Sequence, residues 1–342
     1  MARPTIRDLA EAAQVSVATV NRVIGGSGKV REVTMSRVLE AAREIGFYGI
    51  GALEQRIDAA SPRHRLGVIV QTPHRLFSTL LTRSFEAAAP GIQEGDVRLR
   101  SAHLDDLSPE GVAAQMQALA AESDALAVLA AEHPIVTDMI DRLAQDGVPT
   151  VALVSPLAAR SRVGYVGLDS WKVGRTAAWT FGHACRQPGK LGLLVGTHRY
   201  RCHDLYESGF RSYLREHAGE FTLLEPMSTF ESDAIARELT EKLLRQHPDL
   251  RGLYVSGGGI GGALAAIRES GRAGGLVTVG HDLMATTQAG LLDGSLTLVI
   301  SHPFERVARE AILATIRARN ATSDAGTQSV LVPLELYTRE NI

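Results

Sequence analysis

From Leu66 onward the chain alternates short, strongly apolar runs with amphipathic stretches, and this alternation constrains the fold more than any other feature. A run such as Leu66–Thr72 (LGVIVQT) is apolar at consecutive positions, so as a strand it needs cover on both faces. The pattern predicts strands at 66–72, 97–103, 125–130 and 148–154, separated by helices at 78–89, 109–121 and 135–145. A second cycle follows, with strands at 163–168, 190–195, 221–226, 252–256, 276–280, 296–301 and 329–336. Its helices fall at 170–185, 203–217, 232–246, 260–270, 284–292 and 303–319. This order predicts an α/β core of two doubly wound, parallel-sheet lobes. With no distinct linker between them, the lobes should enclose a cleft, and ligands of such sheets bind beyond the carboxyl ends of the strands.

The first 25 residues follow different rules. Ile6, Leu9, Ala10 and Ala13 share one helical face, the pattern breaks at Gln14–Val15–Ser16, and Ser16 can cap a second helix. That helix turns Val20, Val23 and Ile24 inward, leaves Val17, Ala18, Asn21 and Arg22 outside, and stops at Gly25–Gly26. Helices this short cannot bury a core alone, so the stretch 33–45, with Val38, Leu39, Ala42 and Ile45 on one face, should close a small all-α unit. Small side chains and an arginine on an exposed second helix suit a helix-turn-helix that enters a DNA major groove. The same periodicity also fits a plain helical subdomain. Charge does not choose between them, because residues 1–62 carry eight bases against seven acids.

Composition bounds the rest. A chain of 342 residues, 45% hydrophobic, can fill two or three domain-sized cores, and a net charge of −2 argues against non-specific coating of nucleic acid. A polar helix follows Met1 and no long apolar run appears, so a cytoplasmic protein with no membrane partner is expected. Cys185 and Cys202 are too few for a disulfide framework, and neither they nor His183 have metal-site spacing. No metal, cofactor or catalytic constellation is expected.

Thr5-Ile6-Arg7-Asp8-Leu9-Ala10, followed by Val15-Ser16-Val17-Ala18-Thr19-Val20-Asn21-Arg22-Val23, resembles the DNA-binding headpiece of the LacI family of bacterial repressors, and the remainder of the chain fits that family as well. The resemblance implies a homodimer on a near-palindromic operator, controlled by a small sugar-like or polyol effector held in a periplasmic-binding-protein-like core. It implies base contacts from Val17, Ala18 and Arg22 and phosphate contacts from Thr5, Ser16 and Asn21, the last replacing a serine. The implied domains are a headpiece at 1–48, a hinge at 49–65 and a core at 66–342. Within the core the expected first lobe is 66–162 plus 294–322, and the second 163–293 plus 323–342, with crossings near 163, 294 and 323. The family's hinge helix wedges an apolar side chain into the minor groove. Here Gly49 and Ile50 replace its opening Pro-Asn pair and Arg56 stands at the wedge position, so Leu53 or Ile57 would substitute, or the segment is a plain tether.

Effector contacts carried over by the same resemblance are His74, Phe77, Asp169, Tyr206, Gly258, Asp282 and His302. Phe77 is an aromatic platform or a core aromatic, and Asp169 a ligand contact or a helix cap. Tyr206 replaces an effector-gripping arginine, with Arg199 and Arg201 nearby to compensate, and Gly258 replaces an Asn-Asp pair with bare backbone. Asp282 can accept two hydroxyl hydrogen bonds, and His302 adds an imidazole. Loss of the arginine favours a neutral ligand. Two other readings remain. One is a small-molecule-binding protein without DNA activity. The other is an NAD-dependent oxidoreductase, because Gly257, Gly259 and Gly262 form G-x-G-x-x-G after a strand with Asp282 twenty residues on.

Overall fold

The computed structural model describes residues 3–25, 30–54, 62–72, 76–161, 163–321 and 328–342. The chain divides into two compact units, Met1–Arg63 with Gln93–Asp96, and His64–Ile92 with Val97–Ile342.

The first unit is all-α. Helix α1 (Ile6–Ala12) starts at a capping box in which the Thr5 hydroxyl accepts the Asp8 N–H and the Asp8 carboxylate accepts the Thr5 N–H. Gln14, at φ +52°, makes the turn into α2 (Val17–Gly25), and the Ser16 hydroxyl accepts the Thr19 N–H at 3.1 Å. Helix α3 (Glu32–Glu44) closes the unit over Leu9, Val20, Val23, Val38 and Ala42. A helical stretch at 50–54 is tied to α3 by the Arg43–Glu54 ion pair at 2.9 Å.

The second unit contains two sheets. The first has strand order β12-β5-β4-β3-β1-β2, formed by β1 (Arg63–Val70), β2 (Asp96–His103), β3 (Ala125–Val128), β4 (Thr150–Leu153), β5 (Gly164–Gly167) and β12 (Ser329–Leu331). Helices α4 (Leu76–Ala88), α5 (Pro109–Ala120) and α6 (Pro134–Gln145) alternate with its strands. The second sheet runs β13-β11-β10-β9-β6-β7, with β8 (Met227–Ser228) also paired to β6. It comprises β6 (Lys190–Val195), β7 (Thr222–Leu223), β9 (Leu250–Val255), β10 (Val277–His281), β11 (Leu298–Ser301) and β13 (Glu335–Tyr337). Its helices are α7 (Ser170–Ala184), α8 (Arg201–His217), α9 (Asp233–Gln246), α10 (Ile260–Glu269) and α11 (Ala285–Asp293). Helix α12 (Phe304–Asn320) returns to pack on α4, β3, β4 and β5 of the first sheet. The central strands are parallel and largely buried, as consecutive apolar positions require, and β13 pairs antiparallel with β11 at an edge.

The crossings between sheets differ from those expected. Strand β5 pairs with β4, so the segment at 163–167 belongs to the first lobe, and β11 pairs with β10, so 298–301 belongs to the second. The chain crosses after Gly167, again between Ser301 and Phe304, and finally between β12 and β13. The physical reason is that these strands are apolar on both faces. Burial pattern therefore cannot tell which sheet takes them; the pairing partner decides.

Candidate functional site

On α2 the side chains of Val20 and Val23 are buried, while Val17, Ala18, Asn21 and Arg22 are exposed, Val17 at 41%. Helical period alone produces this division. The hydroxyls of Thr5 and Ser16 are both occupied as helix caps and both residues remain exposed. Leu53 is withdrawn: only 1% exposed, it packs with Phe47 in the headpiece core. This corrects the expectation that it offers an apolar wedge, because burying its side chain satisfies the small core instead. Ile57 and His74 lie outside the described residues.

Between the lobes of the second unit lies a cavity of about 390 Å³, in the range that accommodates small organic ligands. Strand ends build it: Gln71 follows β1, Leu129 follows β3, Val154 follows β4, Gly257 follows β9, Asp282 follows β10 and His302 follows β11. The first lobe supplies a largely apolar wall, with Leu76, Phe77, Leu129 and Val154. The second supplies polar groups, including His203 and Tyr206 from α8, Glu231 and Asp233 at the start of α9, and Asp282. Among the described lining residues there is no lysine or arginine.

Asp282 organises the deep end. Its Oδ1 accepts the backbone N–H of His302 at 3.0 Å and lies 2.8 Å from His302 Nδ1. Burial pushes the Asp282 carboxyl up, but His302 outweighs burial and holds it below the usual range. With Nδ1 turned to Asp282, His302 Nε2 is buried without a partner in the described structure. Phe77 stands edge-on to the His302 ring, at 5.7 Å. Tyr206 stacks on His281 at 4.9 Å, and His281 Nε2 pairs with the Tyr254 hydroxyl at 2.8 Å. Burial drives the His281 imidazole down to about 3, so it is neutral.

His203 behaves in the opposite way. Burial pushes it down, but the Cys202 sulfur, the Glu231 carboxylate and the Thr197 carbonyl outweigh this and hold it up at about 9. Its Nδ1 is 2.8 Å from the Thr197 carbonyl oxygen and 3.9 Å from Glu231 Oε1. Backbone strain gathers at the same place. Val154, Glu231 and Asp282 all line the cavity with φ near +60°, a region that non-glycine side chains enter at a cost.

Phe77, Tyr206, Gly258, Asp282 and His302 thus converge on one cavity. Asp169 does not join them: its carboxylate accepts the Lys172 N–H at 3.1 Å as the N-cap of α7. Arg199 and Arg201 are exposed and do not line the cavity, and Arg201 instead faces Glu132 at 3.6 Å. His203 and Glu231 went unnoticed in the sequence. His203 stands three residues before Tyr206 on the same helical face, a spacing that could have marked it, whereas nothing local marks Glu231.

The G-x-G-x-x-G run also has a packing explanation. Gly259 caps α10 at φ +101°, a Cβ at Gly262 would strike the Asp233 carbonyl, and a Cβ at Gly257 would meet Gly196. Asp282, the acid expected to hold a ribose, is instead engaged by His302. These contacts replace the dinucleotide reading with close packing of α9, α10 and β6.

Comparison with known proteins agrees with this division. A family model for the periplasmic binding protein domain matches residues 68–321, and one for bacterial regulatory proteins of the lacI family matches residues 5–49. No curated protein matches the chain in sequence. Among solved structures, a glucose-galactose binding protein from Geobacillus stearothermophilus superposes with a TM-score of 0.73 at 14% identity, over 82% of this chain and 99% of its own. A solute binding protein from Burkholderia graminis in complex with D-arabinose gives 0.74 at 19% identity, over 81% and 96%. One from Actinobacillus succinogenes with bound D-allose gives 0.72 at 17% identity, over 81% and 98%.

Proposed function

Because the chain belongs to the periplasmic binding protein domain family and, by its headpiece, to the lacI family of bacterial regulatory proteins, we propose that it is a sugar-responsive, sequence-specific transcriptional repressor. It acts in the cytoplasm as a homodimer on a near-palindromic operator. The observation that carries this reading is the exposed face of α2, where Val17, Ala18, Asn21 and Arg22 stand out from a core that buries Val20 and Val23. Arg22 has the geometry to donate two hydrogen bonds to a guanine edge, and Val17 and Ala18 suit thymine methyls. Thr5, Ser16 and Asn21 face phosphates.

The cavity is the effector site. Its acceptors (Asp282, Glu231 and His302) and its aromatic Phe77 and Tyr206 suit a donor-rich ring with an apolar face, as in a monosaccharide or polyol. The sugars bound by the structural neighbours support the same choice. Binding a sugar in one lobe arrangement changes the affinity of the dimer for DNA. In vitro selection of DNA sequences with the purified full chain, at stated salt, tests the reading. Enrichment of a two-fold symmetric site is expected. Failure to enrich any sequence would leave a small-molecule-binding protein without DNA activity.

A further inference from the structure

We propose that Glu231 is a specificity-determining residue of the cleft: a built-in carboxylate that fills the corner where an anionic group of a ligand would bind. The inference rests on the effector reading of the cavity and narrows it to uncharged ligands, excluding phosphorylated ones.

Two features make that corner suited to an anion. The first is the N-terminus of α10, a ten-residue helix whose opening turn, Ile260 and Gly261, lines the cavity behind its cap Gly259. The second is His203, a buried imidazole whose Nδ1 lies 3.9 Å from Glu231 Oε1. The chain's own acids occupy both. Glu231 Oε2 accepts the Gly258 N–H at 3.0 Å, and Oε1 lies 3.9 Å from His203 Nδ1. Asp233 Oδ1 accepts the Gly262 N–H at 3.2 Å, one turn further into the helix.

The arrangement is held in place by the surrounding backbone. Phe230 and Glu231 are consecutive residues at φ +51° and +63°, so this segment departs from relaxed geometry to aim the carboxylate inward. Thr229 secures the turn, since its hydroxyl donates to the Gly258 carbonyl at 2.7 Å and accepts the Glu231 N–H at 3.2 Å. Gly196 and Gly258 clear the space, because a Cβ at either position would collide with a Glu231 carboxylate oxygen. A phosphoryl group entering here would meet two carboxylates and no lysine or arginine among the described lining residues. Rejection by like charge is a recognised route to specificity. Hydroxyl groups of an uncharged sugar can instead donate to the same carboxylates.

Inorganic phosphate is the direct probe, measured by calorimetric titration of the full chain, wild type and two variants. Glu231→Ala vacates the corner beside His203 and should bind phosphate roughly tenfold or more tighter than wild type, with the gain fading at high salt. Glu231→Gln keeps the shape while removing the charge, and should show a smaller gain. Phosphate affinity unchanged from wild type in both variants would overturn the assignment, as would tighter binding of a sugar phosphate than of the parent sugar by the wild type. Titration with a panel of uncharged monosaccharides separates the two claims. Phosphate gain without binding of any sugar would defeat the effector reading and leave the corner assigned, and sugar binding without phosphate gain would do the reverse.

Discussion

The α2 face and the cleft both present polar side chains, but they hold them in opposite ways. On α2 the residues assigned to DNA are exposed and come from one nine-residue helix, with Val20 and Val23 anchoring them from behind. In the cleft His203, Tyr206, Asp282 and His302 are buried, arrive from elements far apart in sequence, and in the case of Asp282 and His302 depend on one another. The difference teaches what each substitution should cost. A side chain that meets only its target can be removed at little expense to the fold, whereas a buried member of a pair carries stability and recognition together.

Asp282→Ala is the most damaging change this contrast foresees. It leaves the His302 N–H and ring without their shared acceptor, which should destabilise the second unit by about 3–5 kcal/mol. Asp282→Asn tolerates the left-handed backbone better and should lose less. Urea unfolding of the three proteins checks the order, and an Asp282→Ala loss below about 1 kcal/mol would place Asp282 with the exposed class.

Arg22→Ala probes the other side of the comparison. Operator affinity should fall by about 1–3 kcal/mol with selectivity relaxed at one base pair, while unfolding stays within about 0.5 kcal/mol of wild type. Binding assays on the selected operator and a scrambled one separate a base contact from a phosphate contact, since a phosphate contact would weaken both DNAs equally.

The gentlest effect is a pH dependence confined to the cleft. His203 rises from an ordinary value of 6.5 to about 9 in the folded protein, so it contributes stability that is fully present below about 6.5. That contribution declines as pH climbs from about 6.5 and is gone above about 9. Unfolding measured across this window should show the loss, and Glu231→Gln should reduce it only in part, because the Cys202 sulfur is the larger cause of the raised value. A slope identical to wild type would mean that Glu231 adds nothing to holding the His203 proton.

The same contrast governs how much the sequence disclosed. The headpiece was legible because its function lies on one amphipathic helix, where a period of 3.6 residues separates Val20 and Val23 from Asn21 and Arg22. The alternation of the core was legible because a strand covered on both faces must be apolar throughout. Pairing was not: β5 and β11 joined the sheets opposite to those expected, since equally apolar strands suit either. Of the cleft residues, Asp282 and His302 were visible through a family pattern, but their mutual hydrogen bond was not. Leu53 was suggested by its spacing and Asp169 by the family resemblance, the latter as a ligand contact or a helix cap; the headpiece core claims the first and an N-cap the second. Glu231 left no trace, because its place depends on a turn that packs against glycines 35 and 27 residues away in the chain.

Occupancy of the cleft is expected to alter the grip of the α2 face on DNA. The most direct measurement is the affinity of the full chain for its selected operator, at fixed salt, without sugar and with a saturating uncharged monosaccharide that calorimetry has shown to bind. A change of about 5- to 150-fold is predicted, the coupling expected of 1–3 kcal/mol. Identical affinities with and without the bound sugar would contradict the account.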